Sequence, residues 1–234
     1  MLKGILTGIV VLVSLSVAHA QGEYSVWGRA TVGYSFDKFN KLDTEIQYRR
    51  QNLRESNVGV QKPLLESFRW WYHRNLGSDF NVSLSPFAYF SHSQNDLSKE
   101  DYVQDSREIR FSAAGQWQKS IAKNWQISNR AAVESRHFTS DNRYVLRARN
   151  RIGLKAQITD NYSLSLSEEL LVNPIGKVGK NPIDHNRVQL MNEIRISPHL
   201  KSEIGYIWIE RYKAKKNIFN TEHVAFVNLY YQIH

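Results

Sequence analysis

The stretch "RYVLRARNRIGLKAQI", residues 143–158, sets Arg147, Arg149 and Arg151 at every second position and then Lys155. Between them stand Leu146, Ala148, Asn150, Ile152, Leu154, Ala156 and Ile158. A period of two belongs to a β-strand, whose successive side chains point to opposite faces. The segment therefore predicts a strand with cations on one face and mostly hydrocarbon on the other. The fold must supply a different surrounding for each.

The same alternation recurs along the chain. Residues 41–51 divide Leu42, Thr44, Ile46 and Tyr48 from Asp43, Glu45, Gln47 and Arg49. Residues 107–118 divide Ile109, Phe111, Ala113 and Trp117 from Glu108, Arg110, Ser112 and Gln116, and residues 125–136 divide Trp125, Ile127, Ala131 and Val133 from Gln126, Ser128, Arg130, Glu134 and Arg136. Residues 186–196 divide Val188, Leu190 and Ile194 from Arg187, Gln189, Glu193 and Arg195. In 79–92, Phe80, Val82, Leu84, Ala88 and Phe90 stand against Asn81, Ser83, Ser85 and Ser91, and Pro86 predicts a bulge or bend because it cannot donate to a ladder. In 162–172 Glu168 falls on the apolar face beside Glu169, and a bulge is expected to turn one of the two inward. Such segments are slightly longer than the roughly 9 to 11 residues a tilted strand needs to cross a bilayer.

Breaks between segments alternate in kind. Short ones fall at Leu76–Asp79, Ser120–Asn124, Thr159–Asn161 and Ser197–His199, and long polar ones at Leu53–Pro63, Ser93–Ser106, Asn173–His185 and Lys213–Thr221. Short turns on one rim and long loops on the other are the arrangement of outer-membrane barrels, with the short rim in the periplasm. Trp117, Trp125 and Tyr162 flank short turns, where an interfacial girdle belongs. The mean hydropathy of −0.50 is compatible with this, because half of each strand of such a barrel is polar.

The predicted fold is thus all-β: one antiparallel transmembrane barrel of about ten to twelve strands. The segments number about eleven, and a closed antiparallel barrel with both ends in the periplasm needs an even number. Counting Arg54–Gln61 as a short strand gives twelve; a different placement of Tyr24–Phe36 gives ten. Ahead of the barrel, Lys3, the apolar run Ile5–Val17 and Ala18-His19-Ala20 have the three parts of a secretory signal. Residues 1–20 are read as that signal and 21–234 as a single barrel domain in the outer membrane of a Gram-negative bacterium. No cysteine is present, so neither disulfides nor thiolate metal sites enter.

Placing the apolar faces toward lipid leaves the others facing one lumen. Its predicted lining is Arg49, Arg69, Arg110, Arg130, Glu134, Arg136, Arg147, Arg149, Arg151, Lys155, Arg187, Glu193, Arg195 and Arg211, with Asp43, Glu45, Glu108 and Glu203 as further acids. Arginine holds its charge at any accessible pH and offers a planar fork to carboxylate, phosphate or sulfate. Two mechanisms fit. Pairing across strands, such as Glu134 with Arg147 or Arg149, would fill a narrow barrel; an unpaired surplus would leave a positive path favouring anions. The chain's formal charge of +9, or +8 without Lys3, agrees with small anionic solutes as partners.

Lys177, Lys180, Lys213, Lys215 and Lys216 lie in long connections and suggest contact with lipopolysaccharide beside outer-membrane lipid; nothing points to nucleic acid. No cofactor, metal site or catalytic set is expected. Ser91-His92-Ser93 is the nearest approach to a hydrolase signature, but neighbours on a strand point to opposite faces. His92 reads as a surface-loop residue, and His137, His185 and His223 as solvated or rim residues without ligand spacing.

The segments "EIQYRRQ" (45–51), "SREIRFSAAGQW" (106–117), "AAVESRHF" (131–138), "YVLRARNRIGL" (144–154) and "EIGYIWIERY" (203–212), with the opening strand at Trp27, resemble an uncharacterised family of bacterial outer-membrane β-barrels, the domain of unknown function DUF2490. A Glu-x-Arg strand followed by an Arg-x-Arg strand carries the likeness, here Glu134/Arg136 and Arg147/Arg149. The resemblance implies fold and location, and no activity. The closing run Tyr230-Tyr231-Gln232-Ile233-His234 departs from the aromatic last residue usual in outer-membrane proteins. Porins for acidic oligosaccharides are similar in fold and charge alone.

Overall fold

Eleven strands follow one another among the described residues: β1 Glu23–Ser35, β2 Asn40–Gln51, β3 Lys62–Asn75, β4 Phe80–His92, β5 Ser106–Ala122, β6 Trp125–Phe138, β7 Arg143–Thr159, β8 Tyr162–Ile175, β9 Ile183–Arg195, β10 Leu200–Lys213 and β11 Ile218–Gln232. This computed structural model describes residues 23–52, 60, 62–77, 79–93, 106–176, 181–213 and 218–233. Each strand pairs with its neighbours in sequence, and β1 pairs with β11 to close the barrel. Closure gives every strand two partners, so no edge is left with unpaired backbone groups, as a hydrocarbon surrounding requires.

The closing pair is parallel, with Trp27 beside Phe226 and Gly33 beside Gln232. That resolves the parity of the strands. An odd number closes when the first and last strands run the same way, so neither a twelfth strand nor a displaced first segment is needed. Residues 24–36, expected to lie differently in a ten-stranded barrel, instead supply β1. Of the segment Arg54–Gln61 only Val60 is described, as a bend; the rest lies outside the described residues.

Inside and outside are inverted relative to a soluble protein. Ile46, Phe111, Val133, Ile152, Leu166 and Leu190 are exposed on the outer wall, whereas Glu108 and Glu134 are 0% and 1% exposed within it. So large an apolar exterior is what acyl chains solvate. Phe80, Trp117 and Trp125 lie near the short-turn ends, and Tyr48, Tyr144, Tyr212 and Phe219 near the opposite ends, giving the outer wall two aromatic girdles. Among the described residues no helix is long and apolar enough to cross a membrane, which bears only on helices.

Two local readings of the pattern are corrected. The register of β4 against β5 shifts between Ser85 and Ala88, at Pro86. The expected bulge is present, but it also exchanges the faces. Ala88 and Phe90 are buried and Phe90 lines the interior, while Phe87 and Tyr89 take the exposed outer positions. In β8 the register is regular from Ser163 to Leu171, so no bulge acts on the glutamate pair. Glu169 faces inward by plain alternation with Ser165 and Ser167, while Glu168 stays outside and accepts a 2.9 Å hydrogen bond from the Asn186 side-chain amide.

Candidate functional site: an arginine-lined lumen

The interior holds a cavity of about 1100 Å³. Among the described residues, bases outnumber acids fourteen to eight along its lining. Glu108 and Glu134 sit behind that lining, sealed by the guanidiniums they bind, and still leave an excess of positive charge.

One half of the interior is a paired network. Arg136 donates from Nε and Nη2 to the two oxygens of Glu108, each at 2.8 Å, and Arg110 Nε donates to Glu108 at 2.7 Å. Glu134 is surrounded by four guanidiniums: Arg149 at 2.7 Å, Arg110 at 3.3 Å, and Arg69 and Arg147 each at 3.9 Å. Arg149 also reaches Glu169 at 2.7 Å, which binds Arg187 at 2.9 Å. Arg147 continues to Asp184 at 2.9 Å, and Arg211 pairs with Glu222 at 2.5 Å. These contacts cross from β3 to β11, so they fasten together strands far apart in sequence. Toward the short-turn rim a second set links Lys155 to Glu193 at 2.8 Å, Lys201 to Glu193 and Glu203 each at 3.1 Å, and Arg29 to Glu45 at 3.4 Å.

Arg49, Arg130 and Arg151 line the same cavity with no carboxylate among the described residues within 4.0 Å. Arg49 lies over the Trp27 ring at 3.6 Å, and Arg130 over Trp71 at 5.1 Å. An indole face attracts a guanidinium through its quadrupole without neutralising it, so the cation remains available to an anion. Arg195 is placed apart from the others, exposed at the end of β9 beside the turn to β10. The remaining sequence-named bases line the cavity, together with Glu193; Glu134 lies behind them.

Several lumen residues are absent from the lining predicted from the sequence. Arg29, Lys201, Glu169 and Glu222 face inward, and the parity of Glu169 with Ser163, Ser165 and Ser167 is signal enough to find it. Asp184 sits at a register shift opposite Leu171 and Val172, where ordinary parity gives the wrong face. Two histidines are corrected from surface to interior. His92 Nε2 lies 3.1 Å from Glu108, and His185 is 4% exposed with Nδ1 2.6 Å from Asp184. His92 turns inward with Phe90 because of the register shift at Pro86, and His185 is buried because β9 starts at Ile183, inside the connection assumed from the sequence. His137 stacks outside on Tyr144, and His223 hydrogen-bonds Tyr206 on the outer wall. Among the described residues no group of three His, Cys, Asp or Glu is placed to hold a metal ion. Lys177, Lys180, Lys215 and Lys216 lie outside the described residues.

Residues 24–220 match the family described as Protein of unknown function (DUF2490). No curated protein sequence matches the chain. Among solved structures, it is similar to outer-membrane expressed OmpT of Vibrio cholerae (10% identity, 77% of this chain, 58% of that one, TM-score 0.38). It is similar also to an anion-selective porin from Comamonas acidovorans (7% identity, 79% and 51%, TM-score 0.35). A third is the translocator domain of autotransporter NalP from Neisseria meningitidis (8% identity, 81% and 73%, TM-score 0.42). The chain spans little more than half the length of the first two.

Proposed function

The chain belongs to the DUF2490 family of proteins of unknown function, and on that premise we propose that it is an outer-membrane protein whose arginine-rich lumen takes in small anionic solutes. The observation that carries this reading is the set Arg49, Arg130 and Arg151, which line the cavity with no carboxylate among the described residues within 4.0 Å. Rings of arginine in a low-dielectric wall favour anions over cations. Residues 1–20 act as the export signal in this reading, residues 21–234 make one barrel domain, and the apolar exterior sits in the lipid of a Gram-negative envelope. The barrel carries out no chemical step.

A second reading, a closed structural barrel that binds through its surface loops, is favoured by the paired network around Glu108, Glu134 and Glu169. Single-channel recording on the refolded full chain in a planar bilayer separates the two. Anion-favouring events, reduced in an R49Q/R130Q/R151Q triple variant, are expected. Silence would favour the closed barrel, and cation-favouring events would sink the proposal.

A further inference from the structure

Arg130 on β6 and Arg151 on β7 stand directly opposite one another in the ladder. Like charges so placed repel. The nearest acid in the same row is Glu169, directly across from Arg151, but it is already bound to Arg149 and Arg187 at 2.7 and 2.9 Å. The two forks therefore converge on the cavity with their charges uncompensated.

The row one step toward the short-turn rim has a different chemistry. Gln118, Ser128, Gly153, Ser167 and Gln189 are consecutive partners across β5, β6, β7, β8 and β9, and all five line the cavity. None is charged, and four present hydroxyls or amides that both donate and accept. At the centre, a Cβ on Gly153 would stand 3.2 Å from Ser128 Oγ and 3.4 Å from the Ser167 Cβ, so glycine lets the two serines close together directly beside Arg151. Trp71, with Arg130 lying over its ring at 5.1 Å, adds an aromatic wall.

From this juxtaposition we infer that Arg130, Arg151 and the Gln-Ser-Gly-Ser-Gln row form a binding site for a phosphomonoester carried on a small polyhydroxylated body, a sugar or polyol phosphate. A dianion with three terminal oxygens neutralises both guanidiniums at once and meets two planar forks, whereas a monoanion leaves one cation uncompensated. The uncharged row then receives the hydroxyls of the body. The inference rests on the anion-favouring lumen and names what that lumen selects.

Isothermal titration of the refolded full chain with glucose 6-phosphate, inorganic phosphate and glucose tests it. Glucose 6-phosphate is expected to bind most tightly, inorganic phosphate less so, and glucose least. An R130Q/R151Q variant should lose about tenfold or more in affinity, as charged hydrogen bonds to phosphate are removed. Because arginine stays charged while a phosphomonoester takes up its second proton near pH 6, affinity should fall about tenfold from pH 7.5 to pH 5. G153V pushes Ser128 and Ser167 apart without changing charge and should weaken glucose 6-phosphate more than inorganic phosphate; circular dichroism verifies that each variant keeps its strands. Equal binding of glucose 6-phosphate and inorganic phosphate, or unchanged binding in R130Q/R151Q, would overturn the site. Loss of the site with chloride still favoured over potassium leaves the broader reading standing. Phosphomonoester binding without anion-favouring conductance supports the site and removes conduction.

Discussion

Replacing Glu134 by Gln tests whether the paired half of the lumen holds the barrel together. Glu134 is 1% exposed and touches four guanidiniums. Removing one partner from a buried ion pair costs about 3 to 5 kcal/mol, because the remaining charge is left without compensation. Here Arg110, Arg147 and Arg149 keep a second carboxylate, in Glu108, Asp184 and Glu169 respectively. Arg69 keeps none among the described residues within 4.0 Å. The glutamine oxygen can still accept from Arg149, so the cost belongs at the low end, about 3 kcal/mol. With a urea slope of about 3 kcal/mol per molar, the unfolding midpoint should drop by about 1 M. Tryptophan fluorescence during urea titration of the protein in lipid vesicles measures it. Asp141→Asn serves as the control. That carboxylate pairs with Arg143 at 3.0 Å, but the two side chains are 52% and 39% exposed, and such a pair contributes less than about 1 kcal/mol. A midpoint shift for E134Q no larger than that of D141N would refute the reasoning.

Neighbouring arginines on β7 should respond in opposite ways. R149Q breaks two 2.7 Å ion pairs and should destabilise by about 3 kcal/mol, whereas R151Q relieves repulsion from Arg130 and should change stability by less than about 1 kcal/mol in the same titration. Among the glycines, Gly176 has φ +71° and a Cβ there would press on the Tyr144 carbonyl oxygen, while Gly77 has φ +110° with nothing within 4 Å. Alanine at 77 should cost about 1 to 2 kcal/mol from backbone strain alone, and alanine at 176 measurably more in the same urea experiment. In the turn from β1 to β2, the Asn40 side-chain amide and the Phe39 backbone N–H donate to Asp37 and hold its carboxyl below the usual aspartate range. A depressed folded-state value means stability that is present above the unfolded value and lost as pH falls through the folded one; an NMR titration placing Asp37 at or above the ordinary value would contradict those contacts.

Much of the barrel was legible because a transmembrane strand must alternate, and Arg143–Thr159 does so without a break from Arg147 to Ile158. The face assignment failed where alternation is interrupted by geometry. Pro86 announces a bulge, but only the register shows that Ala88 and Phe90 change sides. Glu168 and Glu169 needed no bulge at all, and Asp184 needed one that its neighbours do not signal. Parity was legible as a problem and not as its solution, since the parallel pairing of β1 with β11 is a contact between the two ends of the chain. The division of the arginines was hidden for a similar reason. Arg149 and Arg151 are two residues apart on one face, yet one is bound between Glu134 and Glu169 while the other faces Arg130. Which arginine finds an acid depends on how the strands are staggered around the barrel, and that stagger is set by pairings distant in sequence.

The reversal potential of the full chain in a planar bilayer under a potassium chloride gradient is the most direct measure of what the lumen favours. An excess of bases along the lining, with Arg49, Arg130 and Arg151 free of carboxylate partners among the described residues, gives a potential of the sign set by chloride, moved toward zero by R151E. A potential of the sign set by potassium, or one that R151E leaves unchanged, would contradict an anion-favouring interior.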